Sequence, residues 1–286
     1  MTDRIVITPA ERRLAVLKVI QSAHRRLLLS PVQCDDRRVL EAIQAACRRG
    51  VRVEALLTRR TKGRSSLKLL RLLLEAVGVR VWRYAGPHGT YHAKYAVADD
   101  HSALVGSSNF TRRCFTRTCD FLLATSDRAV VAGLTALFAA DCDASSTSLP
   151  RELSTRLIVG PGNARGQMKQ LLEEAQRRIC LIDPKLSDPD MLAVLRAKAA
   201  AGTSVTVLRG LPDSGLAPHG KLLVVDDRLA IVGSMALSTS NLDERREVGV
   251  WVTDRRIVRS LLQLFPETLH RNPVRLGRLQ HAVSAA

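Results

Sequence analysis

The chain has 286 residues, 46% of them hydrophobic and only 3% aromatic, with a formal net charge of +17. That apolar share excludes global disorder, and the length allows one large domain or two ordinary ones cored mainly by Leu, Val, Ala and Ile. The charge favours a polyanionic partner (nucleic acid, an anionic membrane surface or a phosphorylated substrate), with Arg-rich coding bias, 36 Arg against 8 Lys, as the plain competing explanation.

Taken from the N-terminus, MTDRIVITPAERR carries charges where a secretory leader needs apolar residues. Pro9 to His24 has a helical pattern with Pro near its start. Arg26 to Ser30 reads as a strand, Arg37 to Arg48 as a helix stopped by Gly50, and Val51 to Leu57 as a strand. Thr58 to Gly86 holds eight basic residues and one acid. Within it, Ser65 or Ser66 is placed to cap a helix running to Gly78, and a strand follows over Val79 to Arg83. Leu67, Leu70, Leu74 and Val77 share one face of that helix, which Leu69, Leu72 and Leu73 widen. The plain reading is a helix over the sheet behind a solvated cationic loop; the functional one is a basic lip that steers anions. His92 to Asp99, Ala103 to Gly106 and Phe121 to Thr125 are strands, and Asp127 to Ala140 is a helix. Asp141 to Ser154 is small and polar and reads as a linker. Alternation of this kind predicts α/β layers.

The second half repeats the first. HAKYAVADDHSALVGS from His92 aligns without gaps on HGKLLVVDDRLAIVGS from His219, at an offset of 127 residues. Upstream, AHRRLLL from Ala23 falls on AQRRICL from Ala175 at an offset of 152, so 25 extra residues lie in the first half between about Thr58 and Gly86. The division is 1–145 and 146–286, and the expected fold is α/β: two homologous sandwich halves with mixed sheets, related by a pseudo-twofold axis around one shared active site. Ala129 to Ala140, the longest apolar run near the middle, is far shorter than the ~20 residues that span a bilayer. The six cysteines lack C-x-x-C or zinc-like spacing and read as reduced, mostly buried thiols. The expected location is the cytoplasm, with peripheral contact at a membrane allowed for.

Both halves carry H-x-K-x4-D-x6-G-S. These are His92, Lys94, Asp99, Gly106 and Ser107 in the first, and His219, Lys221, Asp226, Gly233 and Ser234 in the second. Five fixed positions arise by chance about once in a million starts, and here they arise twice. On an extended backbone His and Lys two apart face the same way. Asp, seven residues on, needs a turn near it, and Gly-Ser lets backbone and hydroxyl approach a ligand. Two such patches offer two imidazoles and two ammonium groups to one anion, an arrangement suited to a phosphodiester.

With Asn109 completing G-S-x-N in the first copy, this signature resembles that of the phospholipase D superfamily, over about Ile5 to His270. The resemblance implies that one histidine attacks phosphorus to give a phosphohistidine while the other protonates the leaving group and then activates water or an alcohol. It also implies that Lys94 and Lys221 hold the non-bridging oxygens, and that Ser107, Asn109 and Ser234 bind phosphate. Asp120 and Glu247, fourteen residues past each motif glycine, would each orient the histidine of their own half. One departure stands out: Ala236 replaces the second Asn, with Asn241 or Ser238 as conceivable stand-ins. The complete first copy assigns His92 as nucleophile and His219 as general acid. His88 mimics the second motif's Pro-His-Gly but lacks the lysine, so it reads as a loop residue; His24, His101, His270 and His281 have no motif context. No acidic cluster has metal spacing, so neither metal nor cofactor is expected. Hydrolysis or transfer on a phospholipid is the first functional reading, with a phospholipid or anionic membrane surface as partner and no obligatory protein partner. A nuclease acting on nucleic acid is the second, and a degenerate phosphate-binding module the third.

Overall fold

The computed structural model describes residues 3–59, 64–143, 145–146, 148–151 and 153–265. His270 and His281 lie outside them, as do parts of the cationic loop and of the linker. The first half contains β1 (Arg4–Val6), α1 (Pro9–Ser22), β2 (Arg26–Ser30), α2 (Arg37–Arg48), β3 (Arg52–Leu57), α3 (Arg64–Ala76), β4 (Arg80–Arg83), β5 (Thr90–Tyr91), β6 (Tyr95–Ala98), β7 (Ser102–Gly106), β8 (Thr118–Cys119), β9 (Leu122–Thr125) and α4 (Arg128–Cys142). The second contains β10 (Leu157–Gly160), α5 (Ala164–Glu174), β11 (Arg178–Ile182), α6 (Pro189–Ala200), β12 (Ser204–Leu208), β13 (Ala217–Pro218), β14 (Lys221–Val225), β15 (Leu229–Gly233), a π-helical turn (Ser240–Glu244), β16 (Arg245–Val252) and α7 (Arg255–Leu262).

Five of the helices start where a short polar side chain caps them. Thr8 caps α1 ahead of Pro9, and aspartates 36, 127, 188 and 254 cap α2, α4, α6 and α7 through backbone N–H groups two or three residues on. Asp127 and Asp254 are duplicates of each other, so the duplication kept the cap as well as the core. Gly50 and Gly202 follow α2 and α6 at φ +83 and +92, the left-handed conformation glycine adopts without cost.

The two sheets have the same order. One runs β1-β9-β7-β6-β2-β3-β4, the other β10-β16-β15-β14-β11-β12. In each, the second and third strands in sequence pair in parallel and the rest of the shared path is antiparallel. The expected mixed α/β sandwich is therefore present. The 25-residue excess is α3 and β4, which add one parallel strand beyond β3. α3 begins at Arg64, so Ser65 and Ser66 lie in its first turn rather than capping it.

Helices α1–α3 cover the outer face of the first sheet, and α5 and α6 that of the second. Between the sheets, residues of both halves such as Leu28, Val105, Leu134, Val224, Val250 and Leu261 form one core. Each fully buried aliphatic side chain there contributes about 1.5–3 kcal/mol.

Two sequence expectations change here. Asp141 is not in a linker: it sits in the last turn of α4, buried, and pairs with Arg246 at 2.9 Å. The motif glycines are required by strand packing rather than by a ligand. A Cβ on Gly106 would stand 2.1 Å from the Phe121 carbonyl oxygen, and one on Gly233 2.3 Å from that of Val248. Gly233→Ala is expected to lower stability by about 1–3 kcal/mol through overpacking, read by chemical denaturation; a variant as stable as the parent would contradict this account.

Candidate active site

The predicted strand from His92 is shorter than expected: β6 starts at Tyr95, and the residues before it leave the first sheet. Thr90 and Tyr91 pair in parallel with Arg245 and Arg246 of the second half, and the His92 N–H donates to the Arg246 carbonyl at 2.9 Å. The mirror arrangement holds for the other copy. Ala217 and Pro218 pair in parallel with Thr118 and Cys119 of the first half. Each two-residue bridge thus delivers a histidine of one half and an acid of the other to the same place, one residue further along both strands.

The acids consequently serve the opposite half, not their own. His92 Nδ1 is 2.8 Å from Glu247 Oε1, and His219 Nδ1 is 2.7 Å from Asp120 Oδ1. Both carboxylates are fully buried, whereas the rings keep 18% and 28% of their side-chain surface exposed, as groups that must meet a ligand should. The expectation of acids orienting their own histidines is corrected by the crossed bridges.

Lys94 Nζ lies 3.1 and 3.2 Å from the two ring nitrogens of His92 and donates to the His92 carbonyl at 2.8 Å; Lys221 Nζ donates to the His219 carbonyl at 2.6 Å. The site is electrostatically one unit. Burial pulls the Lys94 ammonium down to about 7, opposed by Glu247 and helped by Lys221. Burial likewise pulls His92 down to about 4, with Glu247 resisting and both lysines assisting. His219 is lowered by burial against the pull of Asp120. Asp120 and Glu247 stay below the usual carboxylate range: burial would raise them, but the paired histidines, together with Ser107 and Thr118 at Asp120 and Lys94 and Ser234 at Glu247, outweigh it.

An anion entering between the lysines restores the charged form of Lys94, so binding should take up a proton. Tungstate affinity is expected to fall as pH rises through 7, by up to roughly tenfold per unit. Calorimetry in buffers of different ionisation enthalpy checks this; a flat profile from pH 6 to 9 would count against it.

Several predicted site residues do other work. Asp99 and Asp226 are not beside the imidazoles in function: Asp99 accepts from the amides of His24, Arg25 and Arg26 at 2.6–2.7 Å, and Asp226 from those of Gln176, Arg177 and Arg178 at 2.8–3.0 Å. Both sit at φ +52 in the hairpin turn, which Asp tolerates better than most residues. As members of the repeated motif both are expected among the catalytic groups; in the structure they instead tie the turn to the start of the neighbouring strand. Ser107 is fully buried, donates to Asp120 at 2.7 Å and accepts from the Phe121 N–H at 3.1 Å; Ser234 accepts from the Val248 N–H at 3.1 Å. These hydroxyls bind the sheet and the carboxylate, not a free phosphate position. Asn109 is 7% exposed, and its Oδ1 is buried without a partner among the described residues. Ala236 is fully buried. Asn241 does not replace the missing phosphate donor: its Nδ2 donates to Glu247 Oε1 at 2.5 Å, and Ser238 in turn donates to Asn241 at 2.7 Å.

Arg12 was not singled out by the sequence. It is fully buried, donates to the carbonyls of Cys114 and Thr118 at 2.7 Å each, and lies 3.2 Å from Asp120 Oδ2. Ligand atoms of Cys114, Asp120 and His219 lie within 4.8 Å of one another. A guanidinium already stands against that carboxylate, however, and Asp120 also accepts from Ser107, Thr118 and His219. This is a poor donor set for a cation. The six cysteines are free thiols, four of them buried.

The chain is a duplicated α/β fold in which two crossed histidine–carboxylate pairs and two lysines form one electrostatic unit between the halves. A family model described as "Cardiolipin synthase, PLD-like domain" matches residues 16–142 and 212–269, and the chain belongs to this phospholipase D-like family. Cardiolipin synthase A of Pseudomonas aeruginosa (strain LESB58) is 32% identical over 140 residues, covering 48% of this chain and 28% of that protein. The enzyme of the same name from Pseudomonas putida (strain GB-1) is 37% identical over 116 residues, covering 39% and 24%. The chain thus spans less than a third of the length of the curated relatives it matches. Among solved structures, phosphatidylserine synthase of Haemophilus influenzae Rd KW20 shares the fold with a TM-score of 0.73 at 14% identity, covering 95% of this chain and 86% of that one. Polyphosphate kinase of Porphyromonas gingivalis does so with a TM-score of 0.72 at 19% identity, covering 92% and 46%.

Proposed function

We propose that the protein is a phosphodiesterase of the phospholipase D type, which hydrolyses a phospholipid or transfers its phosphatidyl group through a phosphohistidine. The observation that carries this reading is the crossed pairing of each imidazole with a buried carboxylate of the opposite half, beside two lysines. Glu247 at Nδ1 of His92 leaves Nε2 as the attacking atom, and the depressed basicity of that ring keeps it unprotonated at neutral pH. His92 Nε2 attacks phosphorus, the bond from phosphorus to the leaving oxygen breaks, and that oxygen takes a proton from His219. An acceptor, water or an alcohol, then gives its proton to His219 and attacks phosphorus, and the P–N bond breaks. Lys94 and Lys221 bear the charge that builds on the non-bridging oxygens. The scheme routes no step through a metal ion.

Phospholipid is favoured over nucleic acid by the relatives, which are cardiolipin synthases, and by α3. Leu69, Leu72 and Leu73 are 58%, 52% and 42% exposed on that helix, next to Lys68 and Arg71. Exposed leucines flanked by cations suit an anionic lipid surface better than a phosphate backbone. No helix among the described residues is long and apolar enough to cross a membrane.

The deciding experiment offers the purified protein, with excess chelator, vesicles of phosphatidylcholine and of cardiolipin beside single- and double-stranded DNA. Headgroup release from lipid is expected. Cleavage of DNA alone would favour the nuclease reading. Turnover that vanishes with chelator and returns with magnesium would overturn the mechanism.

A further inference from the structure

The two histidine–carboxylate pairs are alike in geometry but differ in what stands behind the carboxylate. Asp120 is shared between His219 and the fully buried guanidinium of Arg12, 3.2 Å away, and also accepts from Ser107 and Thr118. Glu247 is backed by the neutral amide of Asn241, and among the described residues it has no ion pair other than that with His92. Arg12 comes from α1, Asn241 from the π-helical turn, so the difference is built by non-equivalent elements of the two halves.

We propose that Arg12 is a positioning residue that gives the two histidines different tasks: by pairing directly with Asp120 it leaves His219 readier to release its proton, while Glu247, which feels Lys94 but has no guanidinium paired to it among the described residues, supports the charge that builds on His92. This rests on the phosphohistidine reading above. A carboxylate that belongs wholly to one imidazole holds its proton firmly; one divided with a guanidinium holds it less. A general acid that must give a proton to the leaving group and then collect one from the acceptor works best with a weaker hold. The nucleophile has the opposite need, because its ring becomes cationic once phosphorus is attached, and a carboxylate at Nδ1 that is not paired with a guanidinium stabilises that state. Charged groups around His219 are Asp120, Lys221 and Lys94; Arg12 acts on it through Asp120, and Cys114 and Cys119 are the other titratable side chains packed there.

The test is a titration of the histidine ring by NMR on protein labelled at histidine, with His219→Asn to assign the signal, in wild type, Arg12→Gln and Arg12→Lys. Arg12→Gln removes the cation and keeps a donor, and it should raise the His219 midpoint by about one pH unit. The limb of the pH–rate profile that reports this group should move by the same amount. Arg12→Lys keeps the cation and should leave the midpoint within a few tenths. An unmoved midpoint in Arg12→Gln, even with activity lost, would reduce Arg12 to a structural residue. If Arg12→Gln does not fold, Arg12→Lys decides: a shift near one unit with the charge retained overturns the proposal. Because the titration needs no substrate, it stands apart from the lipid assay, whose failure would remove the mechanism while leaving the ring's midpoint readable.

Discussion

Replacing His92 with asparagine should lower phosphodiester turnover by about four orders of magnitude or more, since the ring assigned to the covalent bond is removed. His219→Asn should cost nearly as much on a natural substrate, whose alkoxide leaving group needs a proton. The two variants part company on an aryl phosphodiester with a good leaving group. There His219→Asn should still release one equivalent of phenol in a burst and stall as the phosphohistidine, because departure no longer needs an acid while the acceptor still needs a base. His92→Asn should show no burst. A burst in His92→Asn and none in His219→Asn would exchange the two assignments. Near-normal turnover in both would remove the site. The geometry behind the expected outcome is asymmetric: each lysine donates to the carbonyl of the histidine two residues before it, but Lys94 Nζ also lies 3.1 and 3.2 Å from the His92 ring nitrogens and discourages that ring's protonation.

The largest effect on stability is expected at Arg246. Its side chain is 6% exposed and reaches from the second half into the first, donating to Asp141 at 2.9 Å and to the Pro161 carbonyl at 3.2 Å. Arg246→Met would strand the Asp141 carboxylate, 2% exposed, without its counter-charge. Breaking one side of such a pair costs about 3–5 kcal/mol, a fall of roughly 10 °C in Tm for a chain of this size. Burial already holds the Asp141 carboxyl up at about 7 even with Arg246 opposing. A raised folded-state value means the ionised form is the strained one. The deficit of Arg246→Met should therefore be largest above pH 7 and shrink as pH falls toward 5, where Asp141 takes a proton. Adding Asp141→Asn should recover part of the loss at pH 8. Thermal unfolding of the single and double variants across pH 5–8 reads this directly, and a deficit that grows on acidification would refute it.

Much of the chemistry was legible in the sequence because the duplication writes it twice. The paired His and Lys, and the acids at equal spacing beyond each Gly-Ser, stood out by alignment of one half on the other. Partnership did not. Whether Glu247 meets His219 or His92 depends on which strand Tyr91 joins, a pairing 155 residues apart that no local periodicity encodes. The motif invites reading Ser107 and Ser234 as phosphate-binding and Asp99 and Asp226 as catalytic, yet their side chains bond backbone amides and, for Ser107, a carboxylate inside the sheet. Arg12 left a trace that went unused. The buried positions of α1 are 12, 15, 16, 19 and 20, so the apolar stripe defined by Ala15, Val16, Val19 and Ile20 extends back onto Arg12. A lone cation on a core stripe calls for a buried anion, and Asp120 was available.

The two short parallel bridges, 90–91 with 245–246 and 217–218 with 118–119, have an implication for how such a chain could arise and be taken apart. Neither half alone holds a complete dyad, so fragments expressed separately should be inert and regain activity only on reassociation. A single-repeat ancestor would have worked only as a pair of identical chains. Fusion would then free each copy to diverge, and the two carboxylates are indeed backed differently, Asp120 by Arg12 and Glu247 by Asn241.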